Sequence, residues 1–333
     1  MLLIGIAGTT LLPHERAWLT ARGVAGVILF SRNYTGRDQL LALVESIREV
    51  AGDACLIAVD QEGGPVQRFR DGFTRLPALA KIGAVYDRDP AQAVRLAEEH
   101  AWVMASELRA SGIDFSFAPV ADLARGNEAI GMRAFHADPD IAGELLQAYV
   151  RGMHLGGMAA VLKHFPGHGS VATDTHKAQA IDPRPWEQIQ RHDLRPFLEA
   201  FPAHAEAVMM AHVVYPAVDD RPAGYSRRWI QTILREQLGF QGVVISDDIS
   251  MAAAGIAGGI AERVRGHLEA GCDLVLACFP EVVEEAMAAM PEPSRASQQR
   301  MASLRGAIGA SWAGLLDNPQ RDRFVGRITA LDQ

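Results

Sequence analysis

The 333 residues are 49% apolar and 22% charged, which argues against disorder and allows a large buried core. Lys and Arg total 32 against 40 Asp and Glu, and the net charge of −8 comes without any basic block, so no nucleic-acid partner is expected. The length suits two average domains or one α/β barrel.

The chain begins MLLIGIAG and turns polar by Thr9, with neither a basic region nor a small-residue cleavage site. No apolar run approaches the ~18 residues of a membrane span. Cys55, Cys272 and Cys278 sit in apolar runs without metal-ligand spacing and read as buried, reduced thiols. A cytoplasmic protein without membrane association is expected.

In chain order, short apolar runs fall at 2–7, 24–30, 56–60, 113–120, 159–163, 207–214, 242–247 and 273–278. Near-continuous apolar runs suit parallel strands covered on both faces. Helices are predicted between them. Residues 38–50 form one. Asp89–Pro90 and Asp138–Pro139 read as N-cap and first helical residue, opening helices to about Arg109 and His154. Ser226 caps a helix that runs to Leu238 and ends at Gly239, and residues 260–270 end at Gly271.

Eight strands alternating with helices predict an α/β fold, a single-domain (β/α)8 TIM barrel spanning 1–333. A doubly wound sheet shares the alternation, but no G-x-G-x-x-G follows an early strand. Residues 291–333 read as C-terminal helices packed outside the barrel.

Barrel chemistry collects at the C-terminal ends of strands. The third strand ends in LIAVDQEGG, with Asp60 and Glu62 at the rim. The fifth runs into VLKHFPGHGSVATDTH, the sixth ends with His212, and the seventh ends in VVISDDISM. Four strand ends carrying ionisable groups at one rim point to a site, because clustered charge is costly unless it is used.

Within the 163–176 run, His168 and His176 suit either a structural or a functional role. Asp174 lies two residues from His176 and can orient its ring. Several histidines with a carboxylate also suit zinc, but no H-x-H marks the first strand, and no metal is expected. Alternation along the seventh strand lets only one of Asp247 and Asp248 face the axis, leaving the other to hold the loop.

A carboxylate facing a His–Asp pair suggests a two-step displacement. The carboxylate attacks, and an imidazolium kept charged by its acidic neighbour protonates the leaving oxygen. The neutral imidazole then activates water, as in a retaining glycosidase with histidine in place of the second carboxylic acid.

The strings VDQEGGPVQRF (59–69), GMRAF (131–135), KHFPGHGSVATDTH (163–176), MMAHVVY (209–215) and SDDISM (246–251) resemble the bacterial cytosolic β-N-acetylhexosaminidases of glycoside hydrolase family 3, over about residues 1–280. The resemblance implies Asp247 as nucleophile, His176 as acid/base and Asp174 as its partner. It implies that Asp60, Arg68, Arg133, Lys163 and His164 hold an N-acetylglucosamine ring. It also implies a single barrel without metal or cofactor, expected to be a monomer. The substrate implied is a small-molecule glycan: a muropeptide from cell-wall recycling, cut to release terminal β-linked GlcNAc from 1,6-anhydro-N-acetylmuramic acid with or without its stem peptide. Pro65 stands where relatives often carry Arg, Thr175 where Ser is common, and the tail after about 280 matches poorly.

Two other readings stay open. One is a β-glucosidase of the same family, although those mostly draw their acid from a second domain. The other is a metal-dependent barrel hydrolase or a non-catalytic sugar-binding barrel.

Overall fold

The computed structural model describes residues 1–173, 175, 179–307 and 309–332, with only the backbone for Ile256. Eight parallel strands form its centre: β1 (Leu2–Gly5), β2 (Val24–Leu29), β3 (Leu56–Val59), β4 (Phe115–Ser116), β5 (Val161–Phe165), β6 (Ala207–Met210), β7 (Val243–Asp248) and β8 (Leu274–Ala277). Their order around the sheet is 4-3-2-1-8-7-6-5. Parallel bridges Phe115↔Ala159 and Val120↔Lys163 join β4 to β5, so the sheet nearly closes into a (β/α)8 barrel.

Every predicted strand has its counterpart, because a sheet buried on both faces writes an apolar run for each strand. Leu2, Leu3, Ile4, Val27, Ile57 and Val243 are all fully buried. Two runs are shorter than predicted. In 113–120, regular pairing covers only Phe115–Ser116. The run 207–214 breaks after Met210, and Val213–Tyr215 joins a separate small sheet with Ala180–Ile181 and Asp219–Pro222.

The helix signals correspond to helices at Arg37–Ala51, Pro90–Ala110, Pro139–Leu155, Arg228–Gln237 and Ile260–Ala270. Asp89 accepts a hydrogen bond from the Gln92 N–H, Asp138 from those of Asp140 and Ile141, and Ser226 Oγ from that of Trp229. Gly271, in the left-handed region, ends the 260–270 helix.

Helices Arg295–Met301, Trp312–Leu316 and Pro319–Thr329 follow the barrel. The last two are fastened to the Pro90–Ala110 helix. Arg321 pairs with the buried Glu107 at 2.7 Å, Arg327 pairs with Glu99 at 2.6 Å, and Trp312 Nε1 donates to Ser111 Oγ just beyond that helix.

Candidate active site

At the C-terminal end of the strands lies a cavity of about 460 Å³, within the usual range for small-ligand sites. Asp60, Arg68, Arg133, Lys163, His164 and Asp247 all line it. Asp174 and His176 lie outside the described residues. A larger groove of about 750 Å³ beside the 260–270 helix contains none of these positions.

Asp60 follows β3 directly. The chain then makes a tight hairpin, Gln61–Gly63 with Val66–Gln67. Gly63 and Gly64 take φ of +102° and +55°, and a Cβ on Gly64 would meet the Ala78 Cβ at 2.6 Å, so the turn requires glycine. This hairpin aims Glu62 into the barrel, where it is 1% exposed. Lys163 Nζ sits 2.8 Å from Asp60 and 2.6 Å from Glu62 Oε1, and Arg133 donates to both Glu62 oxygens, from Nε to Oε2 at 2.8 Å and from Nη2 to Oε1 at 2.9 Å. Arg68 lies 3.6 Å from Asp60.

Burial alone would raise both carboxyls. The cations outweigh it, holding Glu62 down at about 2 and Asp60 below its ordinary value. Both are therefore anionic at neutral pH. This net of ion pairs presents fixed, charged hydrogen-bond donors and acceptors to the cavity.

Lys163 and His164 are consecutive yet both reach the cavity, where regular alternation would send one outward. The β5–β6 register shifts between Leu162 and Phe165, which relaxes that alternation. His164 Nδ1 is 2.6 Å from the fully buried side chain of Asp122. Asp122 also accepts the His168 backbone N–H at 2.6 Å. Burial opposes ionisation of Asp122, but the imidazoles prevail and lower its pKa. His168 is buried against the Thr173 carbonyl at 3.1 Å and Asn127 at 3.3 Å, a role that ties its loop down.

On β7, Asp247 Oδ1 accepts the Asp248 N–H at 2.8 Å. Asp248 borders the same cavity, contrary to the strict alternation expected, because the β7–β8 register shifts between Ile245 and Asp248. Its carboxylate nevertheless serves the loop, accepting from Ser250 N and Oγ at 3.0 Å and from Cys278 N at 3.3 Å. Burial raises its pKa. The buried His212 lies 3.2 Å from the Asp248 carbonyl through Nε2, and its Nδ1 has no hydrogen-bond partner among the described residues. Burial lowers its pKa, so it holds this backbone as a neutral ring.

A family model described as the glycosyl hydrolase family 3 N terminal domain matches residues 7–306. The chain belongs to glycosyl hydrolase family 3.

Among curated relatives, a β-hexosaminidase of Stenotrophomonas maltophilia is 58% identical over 95% of this chain and 94% of its own. One from Xanthomonas axonopodis pv. citri is 56% identical over the same shares. Among solved structures, NagZ from Neisseria gonorrhoeae in complex with N-trifluoroacetyl-D-glucosamine superposes with a TM-score of 0.94 at 39% identity, covering 100% of this chain and 98% of that one. A family 3 β-N-acetylglucosaminidase from Paenibacillus gives 0.89 at 33% identity, over 99% and 67%. This family 3 member is a glycosidase.

Two residues of the site were absent from the set the sequence suggested. Glu62 stood at the predicted rim, but its clamp by Arg133, 71 positions away, leaves no local mark. Asp122 lies just past a run that ends at 120, and its pairing with His164 spans 42 residues. Among the described residues, no cluster of His, Cys, Asp and Glu suits a metal ion, and no helix is long and apolar enough to cross a membrane.

Proposed function

We propose that this glycosidase is a retaining exo-β-N-acetylglucosaminidase of cytoplasmic cell-wall recycling. Its substrate on this reading is a muropeptide, from which it releases terminal β-linked GlcNAc attached to 1,6-anhydro-N-acetylmuramic acid, with or without the stem peptide. The observation that carries the reading is the single cavity shared by Asp247 and the ion-paired set Asp60, Arg68, Arg133, Lys163 and His164. The names of the similar proteins support the same sugar.

In the mechanism proposed, an Asp247 carboxylate oxygen attacks C1 of the bound sugar. The C1–O bond to the leaving group breaks, and the His176 imidazolium gives its proton to the departing oxygen. A covalent glycosyl-enzyme results. Neutral His176 then takes a proton from water, whose oxygen attacks C1 and frees Asp247, with net retention. Asp174 steadies the imidazolium through its negative charge. Asp60, Lys163 and Arg68 hold sugar hydroxyls, while Asp122 holds His164 and Glu62 holds Arg133 and Lys163 for the same task. The scheme uses no metal and no cofactor, and one chain carries every group it needs.

The test is hydrolysis of matched chromogenic β-GlcNAc and β-glucoside substrates by the wild type and by Asp247→Ala. The proposal expects strong preference for β-GlcNAc and near-complete loss in the variant. Preference for the glucoside would favour a β-glucosidase, and activity abolished by chelators would favour a metal hydrolase.

A further inference from the structure

The chain leaves β7 through a loop, 249–258, that contains the short helix Ala252–Ala257. The first backbone N–H groups of a helix have no partner within it. Here the Ala254 N–H makes the first bond, to the Met251 carbonyl, and the Ala253 N–H before it donates outward, to the Thr175 carbonyl at 3.2 Å. Thr175 stands between Asp174 and His176 in the sequence and is 3% exposed. One backbone hydrogen bond therefore joins the loop that follows Asp247 to the loop that supplies the proposed acid/base pair.

The loop after β7 is braced from behind by side chains outside the cavity lining. Arg263, on the Ile260–Ala270 helix, donates from Nη1 to the Ile249 carbonyl at 2.7 Å and from Nε to the Gly258 carbonyl at 2.8 Å, so one guanidinium fixes both ends. Tyr225 fixes the middle, its hydroxyl donating to the Ala254 carbonyl at 3.2 Å. Burial raises the pKa of this tyrosine, so the hydroxyl keeps the proton it donates. The Tyr225 ring lies on that of His267, with centroids 4.0 Å apart and planes at 28°. His267 donates through Nδ1 to the Gly224 carbonyl at 2.8 Å. A Cβ on Gly224 would meet the His267 Cε1 at 2.7 Å, so the ring pair seats against this backbone because the residue is glycine.

A group that transfers a proton has to be held within hydrogen-bond reach of the atom it serves. We infer that Tyr225 and Arg263 are positioning residues for that transfer: they brace the loop after β7 so that the Ala253 N–H holds Thr175, and with it the acid/base segment, in register with the strand that carries Asp247. The inference rests on the acid role proposed for His176. It adds to the groups on which the reaction depends two residues that do not line the cavity. A loosened brace costs the step that needs a proton and spares the step that needs none.

The test compares kcat/KM for methyl N-acetyl-β-glucosaminide, whose leaving oxygen needs a proton, with that for N-acetyl-β-glucosaminyl fluoride, whose leaving group does not. Tyr225→Phe removes the hydroxyl and keeps the stacked ring. It should lower the methyl-to-fluoride ratio about three- to tenfold, the worth of one hydrogen bond. Arg263→Met should shift the ratio in the same direction. Combined with His176→Ala, where no imidazole remains to be positioned, Tyr225→Phe should leave the ratio unchanged. Loss of both activities together in Tyr225→Phe, with the ratio kept, would mean that the brace serves stability alone and would overturn the inference. So would an equal shift of the ratio with His176 present and absent. Equal losses on the two substrates in His176→Ala alone would instead sink the acid assignment, and the positioning role with it.

Discussion

Lys163 Nζ lies 2.6 Å from Glu62 at the floor of the barrel, and both side chains are almost fully buried. Removing the lysine leaves Glu62 with Arg133 alone and Asp60 with the more distant Arg68. Breaking a buried pair by deleting one partner costs about 3–5 kcal/mol. Lys163→Met should therefore lose activity and also melt several degrees lower, as read by scanning calorimetry. A variant as stable as the wild type would show that the pair is not balanced as described.

The same net sets an acid limit. Glu62 is held at about 2 against an ordinary value of 4.5, and Asp60 is also lowered. A carboxylate with a depressed folded-state pKa contributes stability that is present above its unfolded pKa and fades as pH falls through the folded one. Stability should thus decline from about pH 4.5 towards 2, and Glu62→Gln should flatten that decline in denaturant titrations across this range.

Arg321 reaches Glu107, which is 2% exposed and also accepts from the Thr74 N–H and hydroxyl. Arg321→Ala should cost about 2–4 kcal/mol, because a buried carboxylate loses its cation. Activity per folded molecule should stay at the wild-type level, since Arg321 touches no part of the cavity. Urea titration and steady-state kinetics together check both halves.

Cys55, Cys272 and Cys278 are all buried, and burial pushes each thiol up, Cys55 to about 11. Because the thiolate is the reactive form, native protein should resist iodoacetamide near neutral pH, while denatured protein should take up three equivalents.

The barrel was legible because each parallel strand, covered on both faces, leaves its own apolar run, and because Asp89, Asp138 and Ser226 write their caps locally. The broken run at 207–214 was not legible. Met210 and Val213 are both apolar, and the two residues between them, Ala211 and His212, are neither glycine nor proline, so nothing in the sequence marks where the barrel strand gives way to the small sheet. In the site, strand-end positions such as Asp60, Lys163 and Asp247 could be found by counting along strands. The clamps of Arg133 on Glu62 and of Asp122 on His164 join distant stretches and could not. Nor could the register shifts that bring Lys163 with His164, and Asp247 with Asp248, to one cavity. Asp174 and His176 came from the loop pattern and the family resemblance, and their part in catalysis stands as a proposal.

If His176 is the acid, its loss should matter least where the leaving group needs no proton. His176→Ala should retain far more activity on N-acetyl-β-glucosaminyl fluoride than on alkyl β-GlcNAc glycosides. Equal losses on both substrates would argue against the assignment.

The most direct measurement is mass spectrometry of the peptic digest after reaction with 5-fluoro-N-acetyl-β-glucosaminyl fluoride, combined with NMR of the first anomer released from a natural-type substrate. A glycosyl label on the peptide that carries Asp247, with β product appearing first, is the result predicted. A label on any other side chain, or α product appearing first, would contradict the double displacement through Asp247.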